Sequence, residues 1–142
     1  MSKARRLRVK AKPEDFERQH DDDAGFDLRA KEEVTLIEGK PKLVKTNVFV
    51  EIPKNHVGLV MIRSSLGMKG ITLANSVGVI DSGYRGEVGL IMVSLSGNQT
   101  VFAGDRVAQM LIVPLQPVNV EYVKQLKGSE RGEGGFGSTG KS

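Results

Sequence analysis

No window of eleven or more residues in this 142-residue chain keeps a helical period of apolar side chains, and that absence constrains the fold more than any other feature. Short runs rich in Val, Ile, Leu and Thr take its place. They fall at 5–11, 26–30, 33–37, 42–51, 57–62, 71–73, 77–80, 87–95, 99–102, 106–114 and 118–124. Turn signals separate them: Glu38-Gly39-Lys40-Pro41, Pro53-Lys54-Asn55, Ser82-Gly83, Ser96-Gly97-Asn98 and Ala103-Gly104-Asp105. Many short strands with glycine- and proline-marked turns predict an all-β sandwich or barrel-like fold. One short helix is expected to begin at Ser64 or Ser65, because a serine hydroxyl can cap the first free N–H groups. There is no internal repeat.

Charge narrows the partners. The net charge is +4, and Lys3, Arg5, Arg6, Arg8, Lys10 and Lys12 cluster at the N-terminus. Such an excess suits an anion, either nucleic acid or a small phosphate ester. Leu7, Val9 and Ala11 alternate with Arg8 and Lys10, so the cluster reads as a strand with a solvated basic face. Aromatic residues make up only 5% of the chain, which leaves few platforms for stacking single-stranded bases. There is no cysteine, which removes disulfides and thiolate metal sites and fits a reducing compartment. The apolar stretches at 88–95 and 108–115 are too short to span a bilayer, and the basic start lacks the apolar run of a signal peptide. A soluble, cytoplasmic protein without a membrane partner is expected.

Two segments depart from the strand pattern. Residues 13–23 are polar, end in Asp21-Asp22-Asp23 and read as a loop. Residues 128–142 are glycine-rich and nearly devoid of aliphatic side chains, so they cannot bury enough apolar surface to order themselves. This divides the chain into a β domain at 1–127 and a C-terminal lid at 128–142, part of one functional unit.

The tail carries a misleading match. Gly135-Phe136-Gly137-Ser138-Thr139-Gly140-Lys141-Ser142 fits G-x-x-x-x-G-K-[ST]. A phosphate-binding loop of that kind needs a strand before it and a helix after it, and no helix is expected beyond Ser142. The tail still suits phosphate, since successive glycine N–H groups can wrap an anion and Arg131 can grip it with two donors. Arg63-Ser64-Ser65-Leu66-Gly67-Met68-Lys69-Gly70 offers a second set of donors, or is a plain capped turn. In Gly78-Val79-Ile80-Asp81-Ser82-Gly83-Tyr84, an aspartate leaves an apolar strand for a glycine turn. It either faces a pocket or stabilises the turn through its own backbone. The two histidines, His20 and His56, lack the spacing of a metal-ligand set.

Taken in order, five segments resemble the five motifs of the homotrimeric dUTP pyrophosphatases, the dUTPase family. They are Ala24–Ala30 (AGFDLRA), Arg63–Gly70 (RSSLGMKG), Asn75–Glu87 (NSVGVIDSGYRGE), Gly104–Met110 (GDRVAQM) and Arg131–Gly140 (RGEGGFGSTG). Two positions depart from the commoner family pattern: Gly83 stands where many members have aspartate, and Ile62 where proline is frequent.

The resemblance implies a β-clip, jelly-roll-like homotrimer whose shared active sites convert dUTP and water to dUMP and pyrophosphate with Mg2+. Such an enzyme limits uracil incorporation into DNA and supplies dUMP for dTTP synthesis. By the same resemblance Asp81 would be the general base. Asn75, Gly78, Val79 and Ile80 would form the uracil pocket, Gly89 would allow close approach to the base, and Tyr84 would lie against the deoxyribose. Phe136 would stack on uracil when the tail closes. Arg63, Ser64, Ser65, Gln109, Arg131, Gly137, Ser138 and Thr139 would hold the phosphates, and Asp27 would act on the metal through water. The related dCTP deaminases carry a catalytic glutamate on the next strand, where this chain has Ile91. A regulatory binding protein on the same scaffold, or a nucleic-acid-binding barrel using the basic N-terminus, are the other readings. The implied enzyme requires no nucleic acid.

Overall fold

The computed structural model describes residues 4–137, and nearly all regular structure in them is β. The strands are β1 (Arg8–Lys10), β2 (Phe16–Glu17), β3 (Phe26–Arg29), β4 (Val34–Leu36), β5 (Lys42–Glu51), β6 (His56–Ile62), β7 (Ile71–Leu73), β8 (Gly78–Ile80), β9 (Glu87–Ser94), β10 (Gln99–Val101) and β11 (Arg106–Pro114). A four-stranded sheet runs β1-β5-β9-β7, and a five-stranded sheet runs β2-β3-β11-β6-β8. β10 and β4 form a separate pair, and all strand pairings are antiparallel.

Alternation explains the layering. In β5, Val44, Thr46, Val48 and Val50 are buried while Leu43, Lys45 and Asn47 point outward. In β9, Val88, Leu90 and Met92 turn inward and Gly89 and Ile91 outward. Period-two patterning puts one face of each strand on a common interior. Residues from all three sheets, including Val44, Leu90, Leu36, Val101, Leu28, Val60 and Met110, form one core cluster. Polar groups reaching this interior are paired: Thr46 Oγ1 donates to the Val88 carbonyl at 2.6 Å. Among the described residues no buried side-chain N or O lacks a partner.

Three expectations need correction. Residues 13–23 are not wholly loop: Pro13–Asp15 form a 3-10 turn, and β2 pairs with β3. The cause is Phe16, a single apolar residue in a polar run, which buries itself and stacks on Phe26 with ring centroids 4.7 Å apart. The helix α1 (Ser64–Gly67) exists, but Arg63 is its N-cap and no side chain caps it. Residues 118–124 form no strand. Val118, Val120, Tyr122 and Val123 stay exposed, because a strand needs a neighbour for its N–H and C=O groups and this segment pairs with none of the described residues.

No helix among the described residues is long and apolar enough to cross a membrane.

Candidate functional site

Asp81 leaves the end of β8 into a turn that closes with the Tyr84 N–H donating to the Asp81 carbonyl at 3.1 Å. Tyr84 then folds back, and its Oη donates to the Glu87 carbonyl at 2.8 Å. That fold-back needs Gly86. A Cβ there would lie 2.4 Å from Tyr84 Oη and 2.6 Å from its Cζ, closer than any real contact. Together these residues wall a cavity of about 460 Å³ lined by Leu43, Lys45, Val79, Ile80, Asp81, Tyr84, Glu87, Gly89 and Ile91. The floor is apolar strand surface from β5, β8 and β9, and the rim carries one lysine and two carboxylates. Such a pocket suits a planar, partly polar group.

A second cavity of about 410 Å³ lies elsewhere on the chain, lined by Gln19, His20, Asp23, Ala24, Gly25, Asp27, Arg63, Ser64, Arg106 and Gln109. Here β3, β11 and the end of β6 meet. Gln109 pairs across the sheet with Asp27, and its seat depends on Gly25, whose added Cβ would fall 2.7 Å from Gln109 Oε1. Arg63 is held from both ends. Its N–H donates to the Val107 carbonyl at 3.1 Å and its Nη1 to the Arg106 carbonyl at 3.2 Å. Arg106 Nη1 lies 3.7 Å from Asp27 Oδ2, an ion pair within the cavity. Arginine, hydroxyl and amide donors gathered around one space are what an oligophosphate requires.

Of the residues expected to contact base and sugar, the first cavity takes Val79, Ile80, Asp81, Tyr84 and Gly89. Gly78 sits one step back, paired with Val60, and Asn75 lies exposed in the turn before β8. Of the expected phosphate and metal residues, the second cavity takes Arg63, Ser64, Gln109 and Asp27, while Ser65 is exposed on α1. Arg131, Phe136 and Gly137 lie on the tail away from both cavities, with Phe136 fully exposed and Arg131 Nε bonded to the Gly134 carbonyl. Ser138 and Thr139 lie outside the described residues, as does most of the G-x-x-x-x-G-K-[ST] match.

Sequence reasoning missed several residues. Lys45, Glu87 and Leu43 line the first cavity because they project outward from β5 and β9, which alternation alone could have shown. Gln19, His20 and Asp23 line the second. His20 and Asp23 bond each other, Nδ1 to Oδ2 at 3.3 Å, and no local pattern ties them to Arg63. Among the described residues no three His, Asp or Glu side chains gather as a metal-ligand set. Two carboxylates, Asp27 and the His20-bonded Asp23, line this phosphate-suited cavity, a set that fits a hard cation bringing water and phosphate oxygens as its other ligands.

The two cavities share no lining residue. β8 runs antiparallel to β6 with Ile80 opposite Gly58, so Asp81 lies beside Val57. Arg63 is six residues further along the chain, roughly 20 Å away at an extended-strand rise.

Comparison with known proteins bears on this geometry. The dUTPase family model matches residues 11–140. A deoxyuridine 5'-triphosphate nucleotidohydrolase of Clostridium tetani (strain Massachusetts / E88) is 46% identical over 124 residues, 86% of each chain. One from Anaeromyxobacter sp. (strain Fw109-5) is 44% identical over 142 residues, 98% of this chain and 97% of that one. Among solved structures, the dUTPase of Staphylococcus bacteriophage 80alpha with dUpNHpp superposes with a TM-score of 0.86 at 30% identity, covering 96% of this chain and 99% of that one. The dUTPase from phage phi11 of S. aureus gives a TM-score of 0.78 at 26% identity, over 88% and 100% of the two chains.

Proposed function

The chain belongs to the dUTPase family, and with the hydrolysis of dUTP to dUMP as its activity we propose which of its residues carry out the reaction. The observation that carries the assignment is the placement of Asp81 and Tyr84 on one turn at the wall of one cavity. Asp81 acts as general base. It takes a proton from a water that attacks the α-phosphorus, the bond to the bridging oxygen breaks, and pyrophosphate leaves. A carboxylate is a weak base in bulk water, so alignment of that water supplies much of the rate.

Uracil enters the apolar pocket between Val79, Ile80 and Gly89, where backbone groups of 75–80 and the Asn75 amide pair with its edge. A thymine methyl has no room, and cytosine leaves buried donors and acceptors unpaired. The Tyr84 ring, fixed by its bond to the Glu87 carbonyl, supports the deoxyribose and excludes a 2′-hydroxyl. Arg63, Ser64, Ser65 and Gln109 hold the phosphates. Asp27 holds Mg2+ through water, and the ion, when bound, neutralises phosphate charge and fixes the triphosphate's conformation. A cytoplasmic setting, close to deoxynucleotide synthesis, suits this activity and the cysteine-free sequence.

The site is completed by assembly. Reacting atoms must come within about 3–3.5 Å, so a base in one cavity and phosphate donors in another some 20 Å away favour contributions from different copies. Leu43, Val79 and Ile91 beside Asp81 remain exposed, as do Leu115, Val118, Val120, Tyr122 and Leu126 on the C-terminal arm. Apolar surface of that extent calls for a partner. A homotrimer satisfies both needs, with one copy giving Asp81 and Tyr84 and another Arg63, Gln109 and Asp27. The segment 128–142 then closes as a lid, with Phe136 over the base and Arg131, Gly137, Ser138 and Thr139 on the outer phosphates.

Purified protein with Mg2+ should release pyrophosphate from dUTP at least about a hundredfold faster than from UTP, dTTP or dCTP at equal low concentration. Comparable turnover of UTP would overturn the role given to Tyr84. Gly86→Ala should push the tyrosine off its seat and lower kcat/KM for dUTP by roughly tenfold or more. The same variant should narrow the gap between dUTP and UTP, and an unchanged ratio would count against the seat.

A further inference from the structure

Arg85 follows Tyr84 and folds back over the turn that carries Asp81. Its Nη1 donates to the Ser82 carbonyl at 2.6 Å and to the Tyr84 carbonyl at 3.1 Å. Its Nε lies 3.9 Å from Glu51 Oε1, and the other oxygen of Glu51 lies 3.8 Å from Arg8 Nη1. Glu51 ends β5 and stands opposite Arg8 in the β1–β5 register. A connected path therefore runs from the basic edge strand, through the end of β5, to two carbonyls of the turn.

We propose that Arg85, oriented by Glu51, is a positioning residue that sets the Asp81–Tyr84 turn for hydrolysis, a proposal that rests on Asp81 being the base. The turn needs such a hold. Asp81, Gly83 and Tyr84 are all exposed, and a Cβ built on Gly83 would meet nothing within 4 Å. Glycine there leaves the backbone freer than any other residue would. One backbone hydrogen bond, Tyr84 to Asp81, closes the turn but leaves the Ser82 carbonyl free to swing. A guanidinium whose Nη1 binds the Ser82 and Tyr84 carbonyls ties the Ser82–Gly83 peptide, inside the turn, to the peptide that follows Tyr84.

Arg85 does not line the cavity with Asp81. It lines a separate hollow of about 410 Å³ with Arg8, Val9, Lys10, Phe49, Val50 and Glu51. It therefore acts through the turn and not on the substrate. The side chains of Arg85 and Glu51 are 56% and 44% exposed, so their pairing contributes little to stability. Its effect belongs in the chemical step, where a displacement of about 1 Å can cost on the order of a hundredfold.

The test uses Arg85→Ala, Arg85→Lys and Glu51→Gln in the full chain, together with Asp81→Asn alone and combined with Arg85→Ala. Arg85→Ala is expected to lower kcat roughly ten- to a hundredfold while KM for dUTP moves by less than about threefold. The melting temperature should not change. Arg85→Lys should restore only part of the loss, because one ammonium cannot span both carbonyls and Glu51. Glu51→Gln should lower kcat less than Arg85→Ala does. Arg85→Ala added to Asp81→Asn should slow the residual rate far less than Arg85→Ala slows the parent, since most of the arginine's effect passes through the aspartate. A kcat for Arg85→Ala within about twofold of the parent, or a loss carried by KM, overturns the proposal. A further loss in the double variant as large as the loss in the parent overturns it as well. Full activity in Asp81→Asn alone would overturn the base assignment itself, a failure visible in that single variant.

Discussion

Asp81→Asn is expected to reduce kcat for dUTP by at least about a thousandfold while nucleotide binding survives. The amide has the shape of the carboxylate but cannot take a proton from water at neutral pH. The change should leave the fold untouched, because the turn uses the backbone carbonyl of Asp81, at 3.1 Å from the Tyr84 N–H, and the side chain is exposed. The apolar contacts proposed between uracil and Val79 and Ile80 do not involve the altered atoms. Titration with the analogue dUpNHpp should therefore give a dissociation constant close to the parent's. A variant that still turns over within about tenfold of the parent would remove Asp81 from the mechanism.

Deletion of residues 131–142 is expected to lower kcat/KM at least about a hundredfold, with no loss of thermal stability. The two halves of that expectation come from different observations. Among the described residues, 131–137 of the tail add nothing to the core: Arg131 and Phe136 are exposed, and the buried core cluster draws on residues 16–110. Its residue types nonetheless match what an open cavity lacks. Phe136 offers a ring for the base, and Arg131 offers a charge for the outer phosphates. Closing the site removes water and strengthens every charged contact inside it. The comparison requires kcat/KM, the melting temperature and sedimentation of both forms. An unchanged rate in the shortened chain would refute the lid, and a lowered melting temperature would show that the tail serves the fold.

The longest strands are legible in the amino-acid sequence, as is the tail's lack of aliphatic side chains, while Asp81 as base and the tail as lid are proposals. β5 and β9 can be read because their inward residues are apolar at every second position, a pattern that survives whatever the strands pair with. The strand-to-glycine-turn setting of Asp81 leaves two readings, a pocket wall or a self-stabilised turn; the fold puts it on a cavity wall while its carbonyl closes the turn, and its role as base comes from the resemblance. Phe16 is lost in its polar surroundings, since its burial depends on Phe26 and Leu28 across a sheet. The arm at 118–124 has strand-forming residues and no strand, because pairing is a property of two segments and not of one. His20 and Asp23 have the local pattern of surface charge, and only the meeting of β3 and β11 brings them to the cavity that holds Arg63.

The absence of a helical period determined, from the residues alone, that the chain would be built from short strands. Side-chain period is a local property of the backbone, and a period of two cannot be buried by a helix. The five motifs likewise determined the family, because each is a run of neighbouring residues. Tertiary structure alone decided that four of the five motifs divide between two cavities, and that Arg85 and Glu51 meet beside the Asp81–Tyr84 turn. Those distances follow from which strands pair and in what register, and register is settled only when the whole core closes.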